Sequence, residues 1–326
     1  MEEAALTGFK NILVASNPGQ LSASTMRQAV DLANRHDAQL TLLGFVDPLR
    51  PWQRQINVAG TIVDIETLLT ESHTEVLSSM AKRAGGTGVA VEVKAGTPFA
   101  EVSRFVMAED IDLVIVGEPA PAQGRDQGLS PGVMQLLRTC PAPVWVMRPS
   151  RARKLRVLAL VDPDPSDQIR DGLNQKILGL AMSLAADGRG ELHVGHAWEM
   201  PGESFLRASA FVSLSDEQVD LMVGATEQEH RERLDELVAR HGVAAAGGRT
   251  HMVHGEPSKA LPALCELTRC NLVVLGTVAR TGLSGLIMGN TAETILRSVS
   301  CSVLAVKPDD FETPIRLPDG RFRSKP

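Results

Sequence analysis

No stretch of this chain approaches the ~20 uninterrupted apolar residues that a membrane-crossing helix needs, so no membrane span is expected. The N-terminal MEEAALTGFK lacks the basic and apolar regions of an export signal, which points to a cytoplasmic protein. Cysteine is scarce. Cys140, Cys265, Cys270 and Cys301 form no Cys-x-x-Cys pair, so the thiols are expected to be reduced core residues. Positive charge is in deficit: 33 Lys and Arg stand against 39 Asp and Glu, a net charge of −6. That balance argues against a broad electrostatic grip on nucleic acid. A small basic run at 148–156 reads as a solvated linker.

What is present is an alternation. Length of 326 residues suffices for about two domains, each able to bury a core. Short apolar strands at 11–15, 39–46, 89–93, 113–116 and 144–147 are separated by helical spacing at 22–35, 64–83, 100–109 and 132–138. Such alternation predicts an α/β fold with a doubly wound, mainly parallel sheet. The pattern then repeats. A shift of 159 residues, from 96 to 255, carries Gly96-Thr97-Pro98 onto Gly255-Glu256-Pro257. The same shift carries Asp112 to Gly117 onto Asn271 to Gly276, and Arg148-Pro149 onto Lys307-Pro308. Two duplicated domains follow, at 1–150 and 151–308, with a flexible tail at 309–326. The first strands align with a smaller shift, so the second copy carries extra residues near 198–216, suited to a lid or side wall. An amphipathic helix with an ordinary solvated side follows at 217–240.

Chemistry concentrates at 271–298, NLVVLGTVARTGLSGLIMGNTAETILRS. A buried-type strand runs into Gly276 and Thr277, a loop carries Gly282, Gly285 and Gly289, and a helix opens at Asn290-Thr291. Loop amides and first-turn N–H groups converge there, and the helix dipole favours negative charge. Asn290 or Thr291 could cap the helix or contact a phosphate oxygen. The alternative is a plain strand-to-helix turn. The loop is neither a Walker loop nor the Gly-x-Gly-x-x-Gly dinucleotide turn. In the first copy the equivalent loop, GEPAPAQGRDQGLSPG, has three prolines that remove amide donors, and Ser130 stands where Gly289 does. Phosphate binding is therefore expected in the second domain and weak or absent in the first.

The spacing Gly276-x2-Ala279-x9-Gly289-Asn290 resembles the nucleotide loop of the universal stress protein family, Gly-x2-Gly-x9-Gly-Ser/Thr. Ala279 replaces the second glycine and Asn290 the usual hydroxyl residue. The wider string through Arg280-Thr281-Gly282, Val306-Lys307-Pro308 and Thr313-Pro314 is similar to the family's tandem E-type branch. The resemblance implies two Rossmann-like domains of the adenine nucleotide alpha hydrolase-like type. Each would have a five-stranded, mainly parallel sheet with helices on both faces. Last strands usually pair in this family, so 144–147 and 303–306 would join the halves as an intramolecular pseudo-dimer, with room for a homodimer. It also implies a stress-response protein binding ATP or a related nucleotide, with Mg as its companion ion. The ligand-site residues would be Val161, Asp162, Gly255, Pro257, Gly276, Thr277, Arg280, Gly289, Asn290 and Thr291.

Other readings stay open. Asp162 ends a strand where ligands sit in doubly wound sheets, or forms an Asx turn before Pro163. His193 with His196, and His251 with His254, are three apart on strands and so point to opposite faces. Neither pair chelates a metal simply, and partly buried or surface histidines are the simpler reading. No Ser-His-Asp order or paired-carboxylate pattern defines a catalytic residue. A sensor that signals to a regulatory protein partner is preferred over a slow metal-dependent ATP hydrolase or a ligand-free adaptor. A larger ligand, a nucleotide sugar or acyl-nucleotide, is a further alternative, its tail lying beside Phe205, Leu206 and Phe211.

Overall fold

A computed structural model describes residues 8–16, 20–58, 61–119, 128–150, 152, 154–187, 190–208, 214–277 and 288–317. These residues group into two compact units. One holds the described residues of Met1–Arg151, Thr277–Met288 and Ser300–Pro326; the other holds those of Ala152–Gly276 and Gly289–Val299.

The first unit runs β1 (Asn11–Ala15), α1 (Ala23–His36), β2 (Gln39–Val46) and a short 3-10 turn (Pro51–Gln53). It continues through a hairpin of β3 (Gln55–Val58) and β4 (Thr61–Asp64), then α2 (Ile65–Arg83) and β5 (Ala90–Ala95). α3 (Pro98–Ala108), β6 (Leu113–Gly117), α4 (Pro131–Thr139) and β7 (Val144–Met147) complete the series. Strands β5, β2, β1, β6 and β7 lie side by side and parallel. The central strands are continuous apolar runs because both faces are covered: Ile12, Leu13 and Val14 in β1 and Leu113, Val114 and Ile115 in β6 are fully buried. α1 shows how the connecting helices are specified. The Ser22 hydroxyl accepts the Thr25 N–H at 3.0 Å, and Met26, Ala29, Val30 and Ala33 form the buried stripe. Asp37, in the left-handed region at φ 51°, ends it.

In the second unit β8 (Arg156–Leu160), α5 (Gln168–Asp187), β9 (Glu191–Trp198), α6 (Glu203–Ala208) and α7 (Asp216–Arg240) come first. Then come β10 (Arg249–His254), α8 (Pro257–Thr268), β11 (Leu272–Gly276) and α9 (Asn290–Ser298). The strands are ordered β10, β9, β8, β11, all parallel. The final strand, β12 (Ser302–Val306), belongs with the first unit, where it pairs antiparallel with β7, Val303 opposite Val146 and Ala305 opposite Val144. The two last-strand segments singled out in the sequence are therefore neighbours.

Three features depart from the sequence reading. Between the strand expected at 39–46 and the helix expected from 64, the chain forms the β3–β4 hairpin, whose Ile56, Val58 and Ile62 are exposed. Within the extra segment of the second copy, six residues form α6, tied down by Arg207 to Asp220 at 2.8 Å. The basic run is not uniformly solvated. Arg148 is buried, and burial lowers its pKa against the opposing pull of Glu118. Beyond β12, the Thr313 hydroxyl donates to the Thr139 carbonyl at 2.6 Å, and Arg104 Nε donates to the Arg316 carbonyl at 3.1 Å.

Candidate functional site

In the second unit Val161 and Asp162 follow β8, and Gly255 and Pro257 follow β10, four of the ten ligand-site residues named above. β8 ends at Leu160, and the next amide, Val161 N–H, donates to the Gly195 carbonyl at 3.0 Å. Asn174 of α5, only 2% exposed, then clamps the following peptide. Its Oδ1 accepts the Asp162 N–H at 3.1 Å and its Nδ2 donates to the Asp162 carbonyl at 3.0 Å. The Asp162 carboxylate lies 3.5 Å from Arg170, which also meets Asp164 at 3.0 Å and Asp167 at 3.4 Å. A hydrogen bond from Ser166 and the nearby guanidinium of Arg170 hold the Asp164 carboxyl below its ordinary range. The plain Asx-turn reading is thus incomplete, because the turn is built from α5 as well as from Asp162. Asn174→Ala leaves two part-buried backbone groups of Asp162 without this partner. It is expected to cost about 2 kcal/mol in urea unfolding and to loosen the Asp162 turn.

The histidines pair across elements. His196, 1% exposed on β9, has Nδ1 3.2 Å from the Val161 carbonyl and Nε2 2.9 Å from Nδ1 of His230 on α7. A carbonyl only accepts, so His196 Nδ1 carries a proton; its neutral Nε2 then accepts from His230 Nδ1–H. Burial, aided by Arg233 and opposed by Glu229 and Asp162, lowers the His230 pKa, consistent with a neutral pair. His193 and His251 form a second contact, Nδ1 to Nε2 at 2.8 Å, and burial lowers both. Residues three apart on one strand do point apart: His193 meets β10, while His196 meets α7. Long-range 15N–1H spectra at pH 7 should show His196 and His230 both protonated at Nδ1. An Nε2-protonated His196 would refute the assignment.

Trp198 ends β9 with its ring 4.5 Å from His254, whose Nε2 lies 3.1 Å from Glu203 of α6. Gly255 follows, its N–H donating to the Trp198 carbonyl at 2.8 Å. A Cβ there would meet only Ala260 at 3.9 Å, but φ is 128°, so conformation rather than space calls for glycine. Pro257 takes the first position of α8, where its missing N–H costs nothing. Gly276, at the end of β11, packs tightly: a Cβ would lie 2.5 Å from Leu173.

α9 starts differently from expectation. Gly289 is the N-cap and makes no side-chain cap bond, so Asn290 and Thr291 occupy the first two helical positions rather than capping. Thr277 has its N–H on the Val306 carbonyl at 3.2 Å. Its side chain is fully buried, and its hydroxyl oxygen has no hydrogen-bond partner among the described residues. Arg280, together with Ala279, Gly282, Gly285 and Phe211, lies outside the described residues.

The first unit supplies an internal comparison. Glu118 occupies the position equivalent to Thr277, and its carboxylate accepts the Ser130 N–H at 2.9 Å and the Ser130 hydroxyl at 3.2 Å. Ser130 is the N-cap of α4 and Pro131 the next residue. The helix N-terminus of the first copy thus already carries an anion from its own chain. Sequence reasoning weighed the prolines and overlooked this carboxylate; a Glu directly after the strand glycine is the available signal.

A mainly parallel sheet flanked by helices, with a helix following each strand-end glycine, defines a Rossmann-like α/β domain, and the arrangement occurs here twice. The model for the universal stress protein family matches residues 8–148 and again 156–307. The chain belongs to that family of stress-response proteins, in tandem form. It is 27% identical over 329 aligned residues to universal stress protein E of Escherichia coli (strain K12), covering 95% of this chain and 98% of that protein. The universal stress protein E homolog of Haemophilus influenzae is 25% identical, with 92% and 98% covered. Among solved structures, the functionally unknown protein PA1789 from Pseudomonas aeruginosa PAO1 superposes with a TM-score of 0.69 at 24% identity, covering 94% of this chain and 96% of that one. A universal stress protein from Archaeoglobus fulgidus gives 0.59 at 18% identity, covering 91% and 98%. Among the described residues, no helix is long and apolar enough to cross a membrane.

Proposed function

We propose that the second copy binds ATP or a related nucleotide and that the chain acts as a cytoplasmic, ligand-dependent sensor rather than an enzyme. The observation that carries this reading is the contrast between the two helix starts. Glu118 accepts from the N-cap residue of α4, whereas the N-cap of α9 is Gly289, which has no side chain of its own to cap the helix. First-turn amides on the positive end of a helix suit a phosphate. Asp162, its backbone held by Asn174 after β8, would meet the ribose or base, and Gly255 and Pro257, after β10, would line the approach. Arg170 already supplies a cation beside Asp162, which favours recognition over metal-assisted hydrolysis.

Calorimetric titration of the whole chain with ATP, with and without Mg, tests this. One saturable site is expected, weakened at least about tenfold in Asp162→Ala, a loss of ~1.4 kcal/mol, while the circular dichroism spectrum stays that of the parent. Equal affinity in parent, Asp162→Ala and Gly289→Val would reject the site. A larger nucleotide sugar or acyl-nucleotide is the second reading, favoured by the exposed Phe205 ring on α6. Native mass spectrometry of freshly purified protein distinguishes it, and a bare chain would favour the adaptor.

A further inference from the structure

We infer that Cys265 and Cys270 form a reversible dithiol–disulfide site whose two states share one backbone. The thiols expected to be reduced core residues are bonded to each other here. Their proximity is a consequence of how α8 ends. Arg269 adopts the left-handed conformation, φ 50° and ψ 38°. Its N–H donates to the Glu266 carbonyl at 3.1 Å, and the next N–H, of Cys270, reaches back to the Cys265 carbonyl at 3.1 Å. This is the Schellman closure, in which the residue two past the cap returns over the last turn and an apolar contact seals the pair. Here the sealing pair is Cys265 and Cys270, with Cα atoms 5.4 Å apart, inside the range a disulfide spans without backbone movement.

The first copy ends its helix in the same way without sulfur. Asp110 has φ 47°, the Ile111 N–H donates to the Val106 carbonyl at 3.4 Å, and Val106 and Ile111 are buried. Positions 106 and 111 are the equivalents of 265 and 270. Backbone hydrogen bonds, not the sulfur bond, therefore set the geometry. The reduced thiols would stand as a small apolar contact in place of Val and Ile.

In the oxidation two S–H bonds break and one S–S bond forms. The two electrons cleave the O–O bond of a peroxide, and the two protons leave in two molecules of water. A dithiol reductant reverses it by exchange. The pair is buried at a helix C-terminus, where the dipole disfavours a thiolate, so oxidation should be slow and the disulfide form persistent.

The test uses the full chain, reduced with dithiothreitol and then exposed to hydrogen peroxide, quenched in acid and alkylated in denaturant. Trypsin cuts after Arg269, between the two cysteines, so a joined peptide pair appears only when the bond is present. That pair is expected after peroxide, to disappear on reduction, with the far-UV spectrum unchanged and the oxidised form melting about 3–6 °C higher. The double variant Cys265→Val, Cys270→Ile, which copies the first unit's pair, should fold and lose the peroxide-dependent rise. Both cysteines fully alkylated after peroxide, a joined peptide containing Cys140 or Cys301 instead, or loss of the native spectrum on reduction would each overturn the inference.

Discussion

Replacing Thr277 by Glu is expected to lower ATP affinity by roughly 100-fold, on the order of 2.7 kcal/mol, with circular dichroism checking that the fold survives a carboxylate at this buried position. The first copy shows what a carboxylate at this position does: Glu118 takes the N-cap amide and hydroxyl of Ser130. An internal anion at position 277 would compete with the phosphate for the same positive helix end and repel it. Isothermal titration of Thr277→Glu and Thr277→Ser separates charge from size, since Ser keeps the hydroxyl and should bind within a few-fold of the parent. Undiminished binding by Thr277→Glu would show that the phosphate lies elsewhere. The reverse change, Glu118→Thr, should cost about 1 kcal/mol of stability through the lost cap. It should create little new binding, because Pro131 has no N–H to offer.

Lys307→Met is expected to stabilise the protein by roughly 1–3 kcal/mol at pH 7, an advantage that shrinks as the pH rises above 8. Lys307 is 5% exposed, and burial pulls its pKa from 10.5 to about 8. Between those values the unfolded chain binds more protons than the native one, so native stability rises with pH through this window. Below about 8 both states are protonated, and the full cost of burying the ammonium is felt. The ring of Phe311, 4.5 Å from the ammonium, offsets part of that cost, which is why the expected gain is smaller than the shift alone implies. Urea unfolding of parent and variant at pH 7 and pH 9.5 reads the difference directly. A gap that does not narrow with pH would mean that the ammonium is not the source of the effect.

The central sheet strands are legible in the sequence because they are buried on both faces, so Leu113 to Val116 and Leu272 to Leu275 are unbroken apolar runs. The duplication reinforces them, each copy reporting on the other. β3 and β4 escape the same reading because four-residue strands with Ile56, Val58 and Ile62 in solvent have no buried face to set a period. At the candidate site, Asp162, Gly255 and Gly276 can be placed from strand ends alone. Their supports cannot: Asn174 reaches Asp162 from the middle of α5, and His230 reaches His196 from α7. Those contacts depend on how each helix is rotated on the sheet, which spacing within one element does not encode. Cys265 and Cys270 were hidden for another reason. A five-residue separation brings side chains together only if the helix stops between them, and the stop is Arg269, a residue type with no preference for the left-handed region.

The pairing of β7 with β12 also bears on synthesis. Val146 emerges from the ribosome about 150 residues before its partner Val303. At ~5–20 residues per second, the outer edge of the first unit's sheet waits roughly 10–30 s for the strand that covers it. During that interval the nascent chain presents an apolar strand with free amides and carbonyls, the kind of edge that recruits other chains. Halting synthesis before residue 300, or splitting the gene at the repeat boundary, would make this transient exposure permanent.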